Sequence, residues 1–196
     1  MATQGERRAA TRTRLLDAAA ELFAERGIEA SSIDAIAELA GRTSGAVYDH
    51  FGGKDGLLFA LLARWVDDVS AVIGAEMATA HTLDERLAAL WRNVIHPPTG
   101  ENRWIALEHE LWSYATRHDE ARQHLARRYQ AMWSSIDEVA PEWGGVSSGI
   151  GPAVTGLLLG LEMMRRVDPD AVTDELAVAA LRGVVAGAPT PQESTR

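Results

Sequence analysis

The sequence predicts an all-α protein: a small three-helix domain at the front and a larger helical body behind it, about nine helices in all. Three observations carry that reading. Apolar residues recur three or four positions apart through nearly every segment, while alternating, β-branched runs bounded by turns are missing. Stretches such as "HPPTGEN", "PEWGGVSS" and "DPD" fall between those segments as punctuation. The composition also changes along the chain, because all six tryptophans lie beyond residue 64 whereas the front is rich in alanine. Residues 1–56 accordingly form an arm and a small domain, 57–187 the helical body, and 188–196, "APTPQESTR", a polar tail expected to be disordered.

Each element has its own justification. In "RTRLLDAAAELFAERGI" Leu15, Ala18, Ala19, Leu22 and Phe23 share one helical face, Gly27 supplies the left-handed residue that ends the helix, and Ile28 folds back onto it. "SSIDAIAELAG" follows, with Ser31 expected as N-cap, Asp34 three residues on, and Ile33, Ile36, Ala37 and Ala40 as a short apolar face closed by Gly41. "TSGAVYDHF" makes a third short helix, started by Thr43 or Ser44, with Val47 and Phe51 turned inward and Gly52 and Gly53 as its stop. A long helix then runs from Lys54 to about Met77, with Leu57, Leu58, Leu61, Leu62, Trp65 and Val69 as its apolar stripe. Beyond it the pattern places helices over 83–95, 103–116, 119–139, 150–166 and 170–186.

Composition excludes several classes of function. With no cysteine there can be no disulfide, thiol nucleophile, iron–sulfur cluster or thiolate zinc site, which fits a reducing interior and an expected cytoplasmic location. The first twenty residues hold Arg7, Arg8, Arg12 and Arg14 without an uninterrupted apolar core, so they do not read as a secretory leader. The longest apolar stretch, "AVTGLLLGLEMM", is about a dozen residues against the roughly 20 a membrane span needs, so no membrane partner is expected. A net charge of −9 argues against a surface that is basic all round, but the charge is uneven. Residues 1–64 carry eight basic and nine acidic side chains, leaving 11 basic and 19 acidic for the rest.

Two short helices joined by a tight turn at "LAGRTSG" and preceded by a supporting helix have the layout of a helix-turn-helix. Small residues Ala37, Ala40, Gly41, Gly45 and Ala46 are expected to let the two helices approach closely. Lys54, the chain's only lysine, falls at the start of the long helix, where backbone N–H groups and the helix dipole already favour an anion. Its compact ammonium suits a phosphate without fixed fork geometry. Tyr48 offers a hydroxyl and His50 an imidazole, and these three groups read as phosphate contacts that position the protein without reading sequence. Base reading is expected from Arg42, Thr43, Ser44 and Ala46 at the start of the second short helix, and Ser32 completes the DNA-facing set. Between residues 41 and 58 only Arg42 and Lys54 oppose Asp49 and Asp55, so affinity leans on geometry, dimerisation and the arginines of residues 7–14.

Residues 12–58, through "LLDAAAELFAERG", "SSIDAIAELAG" and "GAVYDHFGGKDGLL", resemble the DNA-binding domain of TetR-family transcriptional regulators. The resemblance implies that the second short helix enters the major groove, and that the aromatic residues before the glycines and the lysine after them hold phosphates. It implies double-stranded operator DNA as partner, repression as the default, and a bacterial cytoplasmic protein. It further implies a cavity among the middle helices for a small effector, with Trp91, Trp104, His109, Trp112, Tyr129, Met132 and Trp133 as candidate contacts. Aromatic walls with a few polar groups are general features of such cavities. The acidic balance of this half fits a neutral or cationic apolar effector, and no cofactor is called for.

A regulator with one reading head per chain gains affinity and palindromic specificity by dimerising. "GIGPAVTGLLLGLEMMRRVDPDAVTDELAVAALRGVVAG" offers two apolar helices joined by a short turn, with Gly156 and Gly160 four apart. The resemblance implies that such a hairpin pairs with its copy as a four-helix bundle. The expected interface residues are Ala153, Gly156, Leu157, Gly160, Leu161, Met164, Leu181 and Val184. The long helix from Lys54 joins the effector region to the reading head, and its tilt is the expected lever for release of DNA.

Enzyme readings find little frame. "GVSSG" at residues 145–149 matches a nucleophile elbow around Ser147, but that motif needs a preceding strand, and here it links two helices. The glycines from Gly144 to Gly149 have P-loop spacing, yet Ile150 and Gly151 stand where lysine and Ser/Thr are required. The six histidines include no pair four apart and no H-E-x-x-H, so neither a metal site nor a catalytic residue is expected.

Overall fold

The computed structural model describes residues 3–96, 103–143 and 149–187. Among these the regular elements are all helical: α1 (Gln4–Arg26), α2 (Ile33–Leu39), α3 (Ser44–Phe51), α4 (Lys54–Thr79), α5 (Leu83–Ile95), α6 (Arg103–Ala115), α7 (Asp119–Val139), a short 3₁₀ turn (Ala140–Trp143), α8 (Gly151–Val167) and α9 (Asp174–Ala186). The polar tail, Ser147 and most of the glycine-rich linker before α8 lie outside the described residues. No helix among the described residues is long and apolar enough to cross a membrane.

The backbone groups into two compact units, Met1–Asp68 with Thr99–Leu125, and Val69–Pro98 with Ala126–Arg196. Helices α4 and α7 each contribute residues to both units.

In the first unit α1 packs against both α2 and α6, which is why it buries Leu16 and Ala20 as well as the predicted face of Leu15, Ala18, Ala19, Leu22 and Phe23. Gly27 ends the helix with φ +82°, and its N–H donates to the Phe23 carbonyl. Ile28 then folds into the core as expected. The arginines at 7–14 belong to α1 itself: the helix starts at Thr3, whose hydroxyl accepts from the Glu6 N–H while the Glu6 carboxylate accepts from the Thr3 N–H. This reciprocal cap extends the helix three turns beyond the apolar pattern, so the expected arm is helical from Gln4 onward.

The second unit closes on a core of Leu87, Leu90 and Trp91 from α5, Ile150, Val154 and Leu158 at and along α8, and Ala177, Leu181 and Val185 from α9. Here α9 begins at Asp174, four residues later than the sequence pattern indicates. Thr173 is the N-cap and accepts from the Leu176 N–H, while Asp168 accepts from the Ala171 N–H and holds the preceding residues in a turn.

Candidate nucleic-acid interface

The turn between α2 and α3 is built by hydrogen bonds that the sequence permits only with glycine at its centre. The Gly41 N–H donates to the Glu38 carbonyl at 3.0 Å and the Arg42 N–H to the Ala37 carbonyl at 2.8 Å, which puts Gly41 at φ +63°. Ala37 and Ala40 are buried between the helices as predicted. Gly45 is exposed, and a Cβ there would meet only the Thr43 hydroxyl at 3.8 Å, so it contributes nothing to close approach; Gly41 serves through its backbone angle, not its size.

Ser32, and not Ser31, caps α2: its hydroxyl accepts from the Ala35 N–H at 3.1 Å. Ser31 is buried, and its Oγ faces the Gly27 and Leu22 carbonyls at 2.8 and 3.0 Å, tying the loop to the end of α1. Thr43 occupies the N-cap position of α3 without a side-chain bond, leaving its exposed hydroxyl unengaged by the cap. The Ser44 hydroxyl instead donates to the Asp34 carboxylate of α2, which fixes the angle between the two short helices.

Around this pair the predicted contacts fall into two groups. Tyr48 projects from α3 and is 57% exposed. Thr43 is exposed beside it in sequence, and Ala46 is half-buried. Arg42 is engaged elsewhere: its Nε donates to the Thr11 hydroxyl of α1 at 3.2 Å and Nη1 to the Gly41 carbonyl at 2.9 Å. At the far end of α3, Arg8 of α1 approaches the Asp49 carbonyl at 3.4 Å and the Arg12 guanidinium lies 5.1 Å above the Phe51 ring. His50 feels that cluster. Partial burial, then the charges of Arg8 and Arg12, hold its imidazole below the ordinary histidine range against the opposing pull of Asp49. The positive field that disfavours an imidazolium favours a phosphate in its place.

Gly52 (φ +77°) and Gly53 (φ +143°) turn the chain from α3 into α4, whose first residue is Lys54 as predicted. The ammonium donates to the Glu29 carbonyl at 3.0 Å. Burial lowers its proton affinity, opposed by the charges of Asp55 and Glu29. Sequence reasoning placed Asp34 in the first turn of α2 but missed its bond to Ser44, and it missed Glu29. The Ser44–Asp34 and Lys54–Glu29 pairings join residues 10 and 25 positions apart, and no local spacing rule reaches that far.

Residues 15–61, from α1 into α4, match the model of bacterial regulatory proteins of the tetR family. The chain is 47% identical over 58 residues to the HTH-type transcriptional repressor KstR2 of Rhodococcus jostii, a match covering 30% of this chain and 28% of that protein. It is 26% identical over 185 residues to the HTH-type transcriptional regulator UidR of Escherichia coli, covering 90% and 92% of the two chains. A solved TetR-family regulator from Rhodococcus sp. superposes with a TM-score of 0.72 at 26% identity, over 91% of this chain and 97% of that one. A transcriptional regulator from Saccharomonospora viridis in complex with choline shares the fold at 20% identity, TM-score 0.72 and the same coverage.

Residues 15–61 carry the DNA-binding domain of the tetR family.

Of the candidate effector contacts, Trp104, His109 and Trp112 belong to the first unit, and Trp91, Tyr129, Met132 and Trp133 to the second. The Trp104 side chain lies outside the described residues; His109 is half-buried and Trp112 exposed. Tyr129 and Trp133 come together as a stacked pair with ring centroids 5.9 Å apart, and Met132 is exposed beside them in sequence. Trp91 is part of the core: it is 2% exposed, donates its Nε1–H to the Asp174 carboxylate at 2.9 Å and carries the Arg165 guanidinium 5.7 Å from its ring. That bracket explains its burial without a ligand.

On the α8–α9 hairpin, Ala153, Gly156, Gly160 and Met164 are exposed and Leu157, Leu161 and Val184 half-buried. A Cβ at Gly156 or Gly160 would meet open space. Leu181 differs: it is fully buried in the core of its own unit and cannot meet a second copy, because its turn of α9 faces α5 and α8. Met163 and Val167 are exposed on α8 and were missed, although 153, 156, 160, 163 and 167 follow helical spacing on a single stripe. Among the described residues no three His, Cys, Asp or Glu side chains converge as a metal-ligand set.

Proposed function

We propose that this chain is a TetR-family regulator that binds a palindromic operator as a homodimer in the bacterial cytoplasm, represses transcription there, and is released by a small, largely apolar effector. The observation that carries the reading is the pairing of an exposed α3, presenting Thr43 and Tyr48, with Lys54 at the start of α4 and a positive field from Arg8 and Arg12. The α8 stripe of Ala153, Gly156, Gly160, Met163 and Val167 supports self-association: its small residues admit close helix approach, and its exposed methionine and valine side chains gain by leaving water. The stacked Tyr129–Trp133 pair supports an effector site, because Trp133 Nε1 and Thr155 Oγ1 are buried and lack hydrogen-bond partners among the described residues. Orphaned buried groups of that kind are satisfied when a ligand offers an acceptor or a water enters. The choline complex of a same-fold regulator supports a small organic ligand of some kind.

The test is to sequence the fragments of its own genome that the purified protein retains, then to titrate the recovered duplex by fluorescence anisotropy. Lys54→Ala is expected to weaken binding across sequences and reduce the salt slope by about 0.9 for each phosphate it no longer neutralises, and Tyr48→Ala to weaken it similarly. A protein that retains no duplex above the level of random DNA is not a regulator.

A further inference from the structure

Lys54 is held from behind by α6, and the connection runs through one residue. Glu29 lies in the loop between α1 and α2 and meets both partners with different atoms. Its main-chain carbonyl accepts from Lys54 Nζ at 3.0 Å. Its carboxylate accepts from Arg117 Nε at 3.1 Å and lies 3.3 Å from His118 Nε2, both just past the end of α6. These bonds hold the Glu29 carboxyl below the ordinary carboxylate range, with the His118 contact the largest cause and Arg117 next.

Two further contacts make α6 the backing of the same corner. The Glu110 carboxylate accepts from the Ile28 N–H at 3.4 Å, next to Glu29. The Tyr114 hydroxyl donates to the Asp55 carboxylate at 2.8 Å, next to Lys54, while its ring stacks on His118 at 3.8 Å. Residues 28, 29, 54 and 55 are thus gathered onto the last turns of α6 and the residues after it.

Resting on the regulator reading above, we infer that Glu29 is a positioning residue for DNA binding: clamped by Arg117 and His118, it aims the Lys54 ammonium at the operator phosphate. An ammonium has three donors. One stays on the Glu29 carbonyl and two remain for a phosphate, so the carbonyl orients the cation without competing for it. A lysine free to rotate loses several rotatable bonds' worth of freedom when it meets DNA, and the clamp removes that cost beforehand. Because His109 and Trp112 lie on α6, any ligand that displaces this helix also loosens the grip on Lys54.

A single lysine makes the test direct, since isotope-labelled lysine gives one side-chain signal in the full-length chain. In Glu29→Ala, and in Arg117→Ala combined with His118→Ala, that signal is expected to move toward the position of free lysine. Glu29→Gln, which can still accept both bonds, should restore part of the shift. On the retained duplex Glu29→Ala should weaken binding about threefold to tenfold and lower the salt slope by up to about 1, the change expected when one fewer phosphate is neutralised. Adding Glu29→Ala to Lys54→Ala should then cost nothing more. A Lys54 signal unmoved by the Arg117/His118 pair, or a Glu29→Ala penalty undiminished without Lys54, overturns the inference while leaving DNA binding intact. A wild-type chain that retains no duplex sinks the regulator reading and this inference with it.

Discussion

Replacing Gly56 by alanine tests the junction between α3 and α4 most sharply. A Cβ on Gly56 would stand 1.8 Å from the Phe51 carbonyl oxygen and 3.0 Å from its carbonyl carbon. Attractive contact begins at about 3.5 Å, so the two backbones must part by about 1.7 Å. Neither can move cheaply, because Phe51 closes α3, Gly56 lies in the first turn of α4, and the two linking glycines already sit at positive φ. Helix propensity alone makes glycine to alanine favourable by about 1 kcal/mol, whereas overpacking against unyielding atoms costs about 1–3 kcal/mol and sometimes more. The net expectation is a loss of up to about 2 kcal/mol, toward the upper end because the obstructing atom is backbone. For a chain of this size each kcal/mol moves the melting midpoint by about 2–4 °C. Gly74→Ala is the control: it lies in the same helix, is exposed, and its new Cβ meets nothing within 4 Å, so it should gain up to about 1 kcal/mol. Thermal and urea unfolding followed by far-ultraviolet circular dichroism, at one fixed protein concentration, measures both. Gly56→Ala melting at or above the wild type, or Gly74→Ala falling with it, refutes the packing argument.

Three other outcomes follow from the same fold. Ser31→Ala should cost about 1 kcal/mol in urea unfolding, since it strips the buried hydroxyl that ties the loop to the end of α1, whereas the exposed cap Ser32→Gly should cost only a few tenths. Met163→Asp with Val167→Asp should turn a dimer into a monomer in sedimentation without lowering helix content, as both side chains are exposed on α8. Burial, and then the bond to Asp55, push the Tyr114 phenol up to about 12. A folded-state value above the unfolded one means the stabilisation is complete below pH about 10 and is lost as pH rises through about 12. Tyr114→Phe should therefore flatten the alkaline limb of the stability curve and remove the phenol transition near pH 12 from a near-ultraviolet absorbance titration.

What the sequence determined by itself is everything set by neighbours in the chain. Apolar spacing and glycine punctuation located the nine α-helices of the described residues, most to within a residue or two, and the three linked segments within residues 12–58 placed Lys54 at a helix start. Periodicity and caps act over a turn or two, so one sequence can display them. The tertiary structure decided what depends on which helix lies against which. Packing of α2 and α6 on α1 buried Leu16 and Ala20, and the carbonyls at the end of α1 hold Ser31 inward, leaving Ser32 to cap α2. The same element brought Arg117 and His118 to Glu29, 88 and 89 residues away. Trp91 and Leu181 became core and Gly160 open surface, although each looked equally apolar or small in the sequence. Burial depends on contacts between distant segments, and residue type and spacing do not encode which of two apolar faces finds a partner first.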